Sequence, residues 1–552
     1  MKFAILMKHP RNVAPALIAF SLALGYLLPT LTRPWPGYYH QALFCIVVLI
    51  WMVYAAPSSK PYNIDFVTIA IVLLSTIPIA NHVFGLIVYA SEAALISFYI
   101  LLSGLSFAFS RVLLRSSGYE GVDVLFAAIV FAGFTSVGMA LIQRLDLDLG
   151  GVMVAPIPVG GRSFANLGQP NMLATLLTWS MVGLLWALVR KSLRPGIWLF
   201  AASFLALGVV ASQSRTGALQ VLLVCLASAD LGWRRGSRNL IRCAVLLFIF
   251  FCFLSMVWRE FGPHAMATTQ GLDRVLLAGK RPQIWQMALS AIAARPLMGY
   301  GWYQGHAAFG GQLELFPPMF VSIAHSHNIF LDLMVWNGVI IGGAISVAII
   351  FGLFRICRWR GGSHRFVLGT GLLVFFLHCL TELPYVYINF LIPVSMFGGF
   401  AVGGNLKSLS IAAPRWVMVF IGVVGLTLVS VATLDYWRIE DDHLRFRIRQ
   451  ARIGDLTDVD PPKPLILKFL QEPFDAFRIE PHPGMPKEEI KRLEMAAQRF
   501  PSAVGLRKFA LAEALNGNLE EARFALKRIC LTNSDEVCDY SKRWWESRMR
   551  TP

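Results

Sequence analysis

Long apolar runs recur along the first 434 residues, each about as long as a membrane is thick and each ended by a short polar break. Thirteen stand out, near 13–29, 39–56, 64–80, 86–109, 121–143, 171–189, 196–211, 217–230, 240–258, 333–355, 366–381, 385–404 and 415–434. About 20 apolar residues in a helix cross the hydrocarbon of a bilayer. In lipid every backbone polar group must be satisfied internally, which leaves helices or a closed barrel. Runs of this length decide for helices. The pattern predicts an all-α, polytopic membrane helical bundle of about 13 spans.

Composition agrees. Hydrophobic residues make up 56% of the chain, mean hydropathy is +0.59 and only 15% of residues are charged, against roughly 25% in a soluble domain. Lys2, Lys8 and Arg11 precede the first run, as in a signal peptide. No small-residue cleavage site follows Tyr26, so an uncleaved first span is expected.

The net charge of +17 does not point to nucleic acid, because of where it lies. The first 434 residues hold 28 basic and 12 acidic residues, and the rest hold 21 and 20. With the N-terminus inside, 19 of those 28 basic residues fall on the cytoplasmic side. They include Lys60, Arg111, Arg115, Arg190, Arg234, Arg235, Arg355, Arg358, Arg360 and Lys407. Short basic loops stay inside, so the charge reports topology and places the C-terminal tail outside.

Two stretches break the apolar rhythm. A loop at 259–326 is too long for a connector, and long loops carry function or disorder. It holds Trp285, Tyr300, Trp302 and Tyr303, with Ile284, Met287, Ala288 and Ile292 at helical spacing, so a folded segment is expected. The second is 435–552, entered through Pro461-Pro462-Lys463-Pro464, with short helices near 487–499, 502–516 and 518–531. Their small-residue pattern fits either one tetratricopeptide-like unit or an ordinary small helical domain. The expected division is therefore 1–434, a membrane domain with the large outer loop 259–326, and 435–552, an outer helical domain.

Six of the eight cysteines sit in or beside spans, as small packing residues. Cys530 and Cys538 lie in the outer tail, where an oxidising compartment permits a bridge. No metal-binding spacing is present, and His325-x-His327 lacks visible partners.

On this topology the conspicuous polar clusters all fall on the outer side. They are Arg162 to Asn171 with Gln169, Ser212 to Gly217 with Arg215, Arg281, His325-Ser326-His327-Asn328, and Glu382 to Tyr387. Each has a plain alternative. Gln169 and Asn171 fit a helix cap, Arg215 a snorkelling side chain and Tyr387 an interfacial belt. The histidines with Asn328 fit a polar entry to a helix. Together they suit chemistry on a lipid-linked phosphate. Arginine grips phosphate oxygens with a planar fork, and a histidine takes a proton at neutral pH.

Ala165-Asn166-Leu167-Gly168-Gln169-Pro170-Asn171, Ser214-Arg215-Thr216-Gly217, Arg281-Pro282-x-x-Trp285, Pro296 to Gly301 and His325-Ser326-His327-Asn328 resemble the O-antigen ligase/polymerase superfamily. The Gly-Gln-Pro-Asn form and the helical tail are most similar to its protein O-oligosaccharyltransferase (pilin glycosylation ligase) branch. The resemblance covers roughly 130–400. It implies transfer of an undecaprenyl-diphosphate-linked glycan to an acceptor hydroxyl in the periplasm, from the inner membrane, with no cofactor or metal. It assigns His327 as the catalytic histidine, with His325 second to it. Arg281 and Arg215 hold the diphosphate, and Gln169, Asn171, Tyr387 and Glu382 support. The expected acceptor is Ser or Thr of a pilin-like protein, with lipid A–core as the alternative. Asp332 departs from the amide that many relatives carry. A transporter of lipid-linked glycan is the reading from another class, and it leans on Glu92 as a mid-span acid.

Overall fold

The structure is a computed structural model. It describes residues 13–56, 62–147, 152–158, 161–261, 280–357, 362–403, 410–451, 453 and 459–550. Lys2, Lys8, Arg11, Lys60, Gly279, Arg358, Arg360, Lys407 and the first part of the long loop lie outside these residues.

Every apolar run coincides with helix. Among the described residues ten helices are long and apolar enough to cross a membrane, and Val13–Leu27 and Ile388–Val402 are shorter apolar helices. Gly362–Cys379 is a further helix, of 18 residues, at the run expected near 366–381. The ends follow local chemistry. Pro170 and Pro195 open their helices, where the missing N–H costs nothing. Ser214 caps Arg215–Arg234 by accepting from Gly217 N–H at 2.9 Å. Among the described residues the departure from all-α is one short antiparallel pair, Tyr62–Asp65 with Ser410–Ala413.

The chain forms two compact units. The first comprises Met1–Leu74, Tyr99–Val275 and Ile349–Ser430. At its centre stands Pro170–Val189, 89% buried across its apolar window. Glu120–Arg144, Pro195–Ser212, Arg215–Arg234 and Gly362–Cys379 pack round it. Trp179 ties this core together, donating to Gly371 O at 2.9 Å and packing on Phe375, Phe390 and Phe397. Peripheral helices invert the soluble pattern. Only 22% of the Arg238–Trp258 window is buried although its mean hydropathy is 2.6, as a lipid-facing helix requires. Burying an ion is costly unless it is paired. Arg111 and Asp65 form a buried ion pair, and Arg111 Nε also donates to Gly403 O at 3.0 Å.

The second unit comprises Ser75–Phe98, Leu276–Ala348 and Val431–Pro552. Its tail is five helices from Lys468–Arg478 to Asp535–Arg550, closed on Leu493, Ala496, Leu506, Phe509, Ala522 and Ile529. Cys530 and Cys538 are joined as a disulfide, with Cα atoms 4.6 Å apart. Within the unit the tail is bonded to the loop: Met319 N–H donates to Leu531 O at 3.1 Å, and Lys527 pairs with Glu314 at 2.9 Å.

Glu92 corrects an expectation. It stands in the first turn of Ala90–Ser117 rather than in the middle of a span. It accepts from Arg499 Nε at 2.7 Å and from Gln304 Nε2 at 3.3 Å. Hydropathy absorbed a single acid into an apolar run because its partner stands 407 residues away.

Candidate functional site

The predicted residues fall in both units, and each set is built differently. In the second unit the site begins with a broken helix. Ile329–Cys357 is interrupted at Gly338, whose φ of 72° and ψ of 174° are not helical. The Pro296-to-Gly301 segment docks into the break. Tyr300 N–H donates to Val335 O at 2.9 Å, Gly301 N–H to Trp336 O at 2.9 Å, and Val339 N–H to Pro296 O at 2.7 Å. A Cβ on Gly338 would stand 2.2 Å from Leu297 O, so only glycine fits both the space and the φ.

Asn328 caps this helix, accepting from Phe330 N–H at 3.0 Å and Leu331 N–H at 3.4 Å. The polar entry to the helix is therefore the work of Asn328, which leaves the two histidines for other duties. Between them Ser326 is wholly buried and fixed through its backbone from two sides. Its carbonyl accepts from Trp285 Nε1 at 3.1 Å, and its N–H donates to Asp332 Oδ1 at 2.7 Å. His327 adopts φ 59°, a left-handed conformation that costs an ordinary residue about 1–2 kcal/mol and persists only where the surroundings impose it. Both histidines are half-buried. His325 Nδ1 lies 3.5 Å from Asp332 Oδ2, and its ring meets Tyr303 and Trp336 edge-on, each at 6.0 Å.

Arg281 opens the helix Arg281–Ala294. It precedes Trp285 by four positions, on the same helix face, so it stands one turn from the residue that grips Ser326. Nearby, Lys280 donates to Met319 O, and Gln283 Nε2 to Pro317 O at 2.8 Å. The expected helical face is present, with Ile284, Met287, Ala288 and Ile292 buried. His306 bonds Ser322 Oγ at 3.1 Å through Nδ1. Burial, with the positive charge of Arg499 next in weight, pushes its imidazole down to about 3.

In the first unit the polar residues meet side chain to side chain. Gln169 stands at the cap position of Pro170–Val189 but makes no capping bond; its Nε2 donates instead to Glu382 Oε2 at 3.2 Å. Asn171 Oδ1 accepts from Ser214 Oγ at 2.7 Å, and so orients the cap of the helix that Arg215 begins. Arg215 is exposed in that first turn. Thr216 and Thr381 share a bond of 2.8 Å. Deeper, Gln220 Nε2 donates to Thr175 Oγ1 at 2.9 Å and Val374 O at 2.8 Å, and Thr175 meets His378 Nδ1 at 2.8 Å. Tyr387 is half-buried at the start of Ile388–Val402, beside Gly37. Asn166 is a staple, donating to Leu27 O at 2.7 Å and Met153 O at 2.9 Å.

Asp332 is the residue that motif reading undervalued. It is fully buried and touches both Ser326 and His325. The signal was present in the sequence: an acid in the first turn of a strongly apolar helix, seven residues after His325, needs a partner. Among the described residues no group of three metal-ligating side chains converges.

Fold and site together define an all-helical, multi-pass membrane protein with a strained, doubly anchored histidine turn. Family comparison narrows the class. The O-antigen ligase model matches residues 200–345, the C-terminal model of a virulence factor membrane-bound polymerase matches 367–532, and the protein glycosylation ligase model matches 164–188. A general O-oligosaccharyltransferase of Acinetobacter baylyi (strain ATCC 33305 / BD413 / ADP1) is 26% identical over 540 residues, 95% of this chain and 93% of the relative. A ComP-specific O-oligosaccharyltransferase of the same strain is 31% identical over 288 residues, 49% of this chain and 50% of the relative. These matches bear out the resemblance in the motifs. The chain is similar to the O-antigen ligases and the protein glycosylation ligases, and it is a glycosyl-transferring enzyme.

Proposed function

We propose that this enzyme moves a preassembled glycan from an undecaprenyl-diphosphate carrier to a serine or threonine hydroxyl of a periplasmic, pilin-like protein, working at the inner membrane. The observation that carries this reading is the His-Ser-His turn. Ser326 is held through both its N–H and its carbonyl, which presets the backbone of His327 beside it, and the Trp285 that grips Ser326 stands one helical turn after Arg281. His327 takes the proton of the acceptor hydroxyl. The hydroxyl oxygen bonds to the first sugar's anomeric carbon, and the bond from that carbon to the diphosphate breaks. The diphosphate departs on its lipid, with its charge met by Arg281. Arg215 keeps the same assignment from its own motif, and Gln169, Asn171, Glu382 and Tyr387 support.

A protein acceptor is favoured because the relative aligned over 95% of this chain is named an O-oligosaccharyltransferase. The O-antigen ligase match over 200–345 favours lipid A–core as the second reading. Transport lost its main support when Glu92 proved to be paired with Arg499. The proposed orientation puts Gln312 and Pro483 in the periplasm and Ser237 in the cytoplasm, and reporter fusions at those sites check it.

The test is His327→Ala, assayed with purified enzyme, lipid-linked glycan and acceptor and normalised to folded protein. Loss of a general base lowers the rate by about 10²–10⁴-fold. A rate within a few-fold of the parent sinks the assignment. Mass spectrometry of a deletion strain separates the acceptors: lost periplasmic glycopeptides mean protein, and lost capped lipopolysaccharide means lipid A–core.

A further inference from the structure

The buried carboxylate of Asp332 has no task in the reading above, and a buried charge persists only when its partners justify it. Asp332 Oδ1 accepts from Ser326 N–H at 2.7 Å, and Oδ2 lies 3.5 Å from His325 Nδ1. That nitrogen is itself shielded from solvent and hydrogen-bonds to no other group, so the nearby carboxylate oxygen is the charge it faces. The edges of Tyr303 and Trp336, each 6.0 Å from the His325 ring, limit its swing. One side chain therefore meets both the backbone of the turn and a ring on it.

We propose that Asp332 is a positioning residue for transfer, holding His325 with its proton on Nδ1 and its Nε2 as a hydrogen-bond acceptor. The inference rests on the transfer reading. A carboxylate beside one imidazole nitrogen selects the tautomer in this way, and an amide in its place selects the other. Asp332→Asn is the informative change. The amide oxygen keeps the Ser326 bond, and the amide N–H faces Nδ1 and turns that nitrogen into an acceptor. Scaffold and tautomer are thereby separated.

The experiment measures kcat, both KM values and thermal melting for Asp332→Asn, His325→Phe and the double variant. His325→Phe keeps a ring between Tyr303 and Trp336 but removes both nitrogens. The expected result is parental melting, KM values within about twofold, and kcat lowered at least about tenfold in each single variant. The double variant falls no further, because both changes act through one ring. Parental kcat in either single variant overturns the proposal, and so do losses that multiply in the double variant or appear only in KM. Should Asp332→Asn not fold, His325→Phe decides alone by its kcat. His327→Ala in the same assay reports separately on the transfer reading, since its outcome does not depend on residue 332.

Discussion

The two polar regions are held by opposite means. In the first unit Gln169 meets Glu382, Asn171 meets Ser214, and Gln220 meets Thr175, each amide or hydroxyl satisfied by another side chain or a helix carbonyl. Such a network is closed, and it fixes helices that hydrocarbon packing alone leaves free to slide. In the second unit the anchors grip backbone, the N–H and carbonyl of Ser326, and leave the imidazoles on either side to the chemistry. Side-chain closure builds a scaffold. Backbone anchoring builds a presented group, held in a conformation the chain alone does not favour.

That contrast breaks or sharpens under substitution. After the His327 change, the largest effect is expected at Arg281. Arg281→Ala should lower kcat/KM for the lipid-linked donor by about 10²–10³-fold, the scale of losing one preorganised donor to developing charge. Arg281→Lys should remain impaired, since it keeps charge without the fork. Parental donor kinetics in Arg281→Ala would remove the charge-meeting role from this unit. Next comes Gln220→Leu in that network, which removes the bonds to Val374 O and Thr175 Oγ1 and leaves an apolar group facing them. A loss of about 1–3 kcal/mol in stability is expected, with kcat per folded molecule unchanged; a fall in kcat instead would erase the distinction between scaffold and site. The Cys530–Cys538 bridge is worth a similar amount. Replacing both with serine should cost about 2 kcal/mol, because the loop is short, and should leave transfer intact in melting and activity assays.

The last prediction concerns pH. His306 has a folded value pushed down to about 3, below its ordinary one, so the unfolded chain binds the proton more readily. Its contribution is fully present above about 6.5 and is lost as pH falls from there toward about 3. Melting curves at descending pH should fall less steeply for His306→Gln; an unchanged slope would show that another group governs acid stability.

The helices were legible because spans announce themselves by length and apolarity, and the loop's Ile284–Ile292 face by its spacing. Partnerships across long sequence separations were not. Gln169 passed for a cap because Glu382, 213 positions on, is invisible to local reading. Glu92 passed for a mid-span acid until Arg499 appeared beside it. Asp332 looked like a departure from a motif, and its meaning lay in a helix start that folds it back onto Ser326. The Pro296-to-Gly301 motif gave no hint of its task, because the break it fills lies at Gly338.

That break sets a rule for building chimaeras. Residues 296–301 and 335–339 exchange backbone bonds as two halves of one joint, so they form a single unit of inheritance although helix, loop and the histidine turn lie between them. A graft that imports a relative's loop but stops before Gly338 joins one protein's plug to another's socket. The natural cassette runs from Arg281 past Val339, and crossovers placed outside it should be the ones that survive.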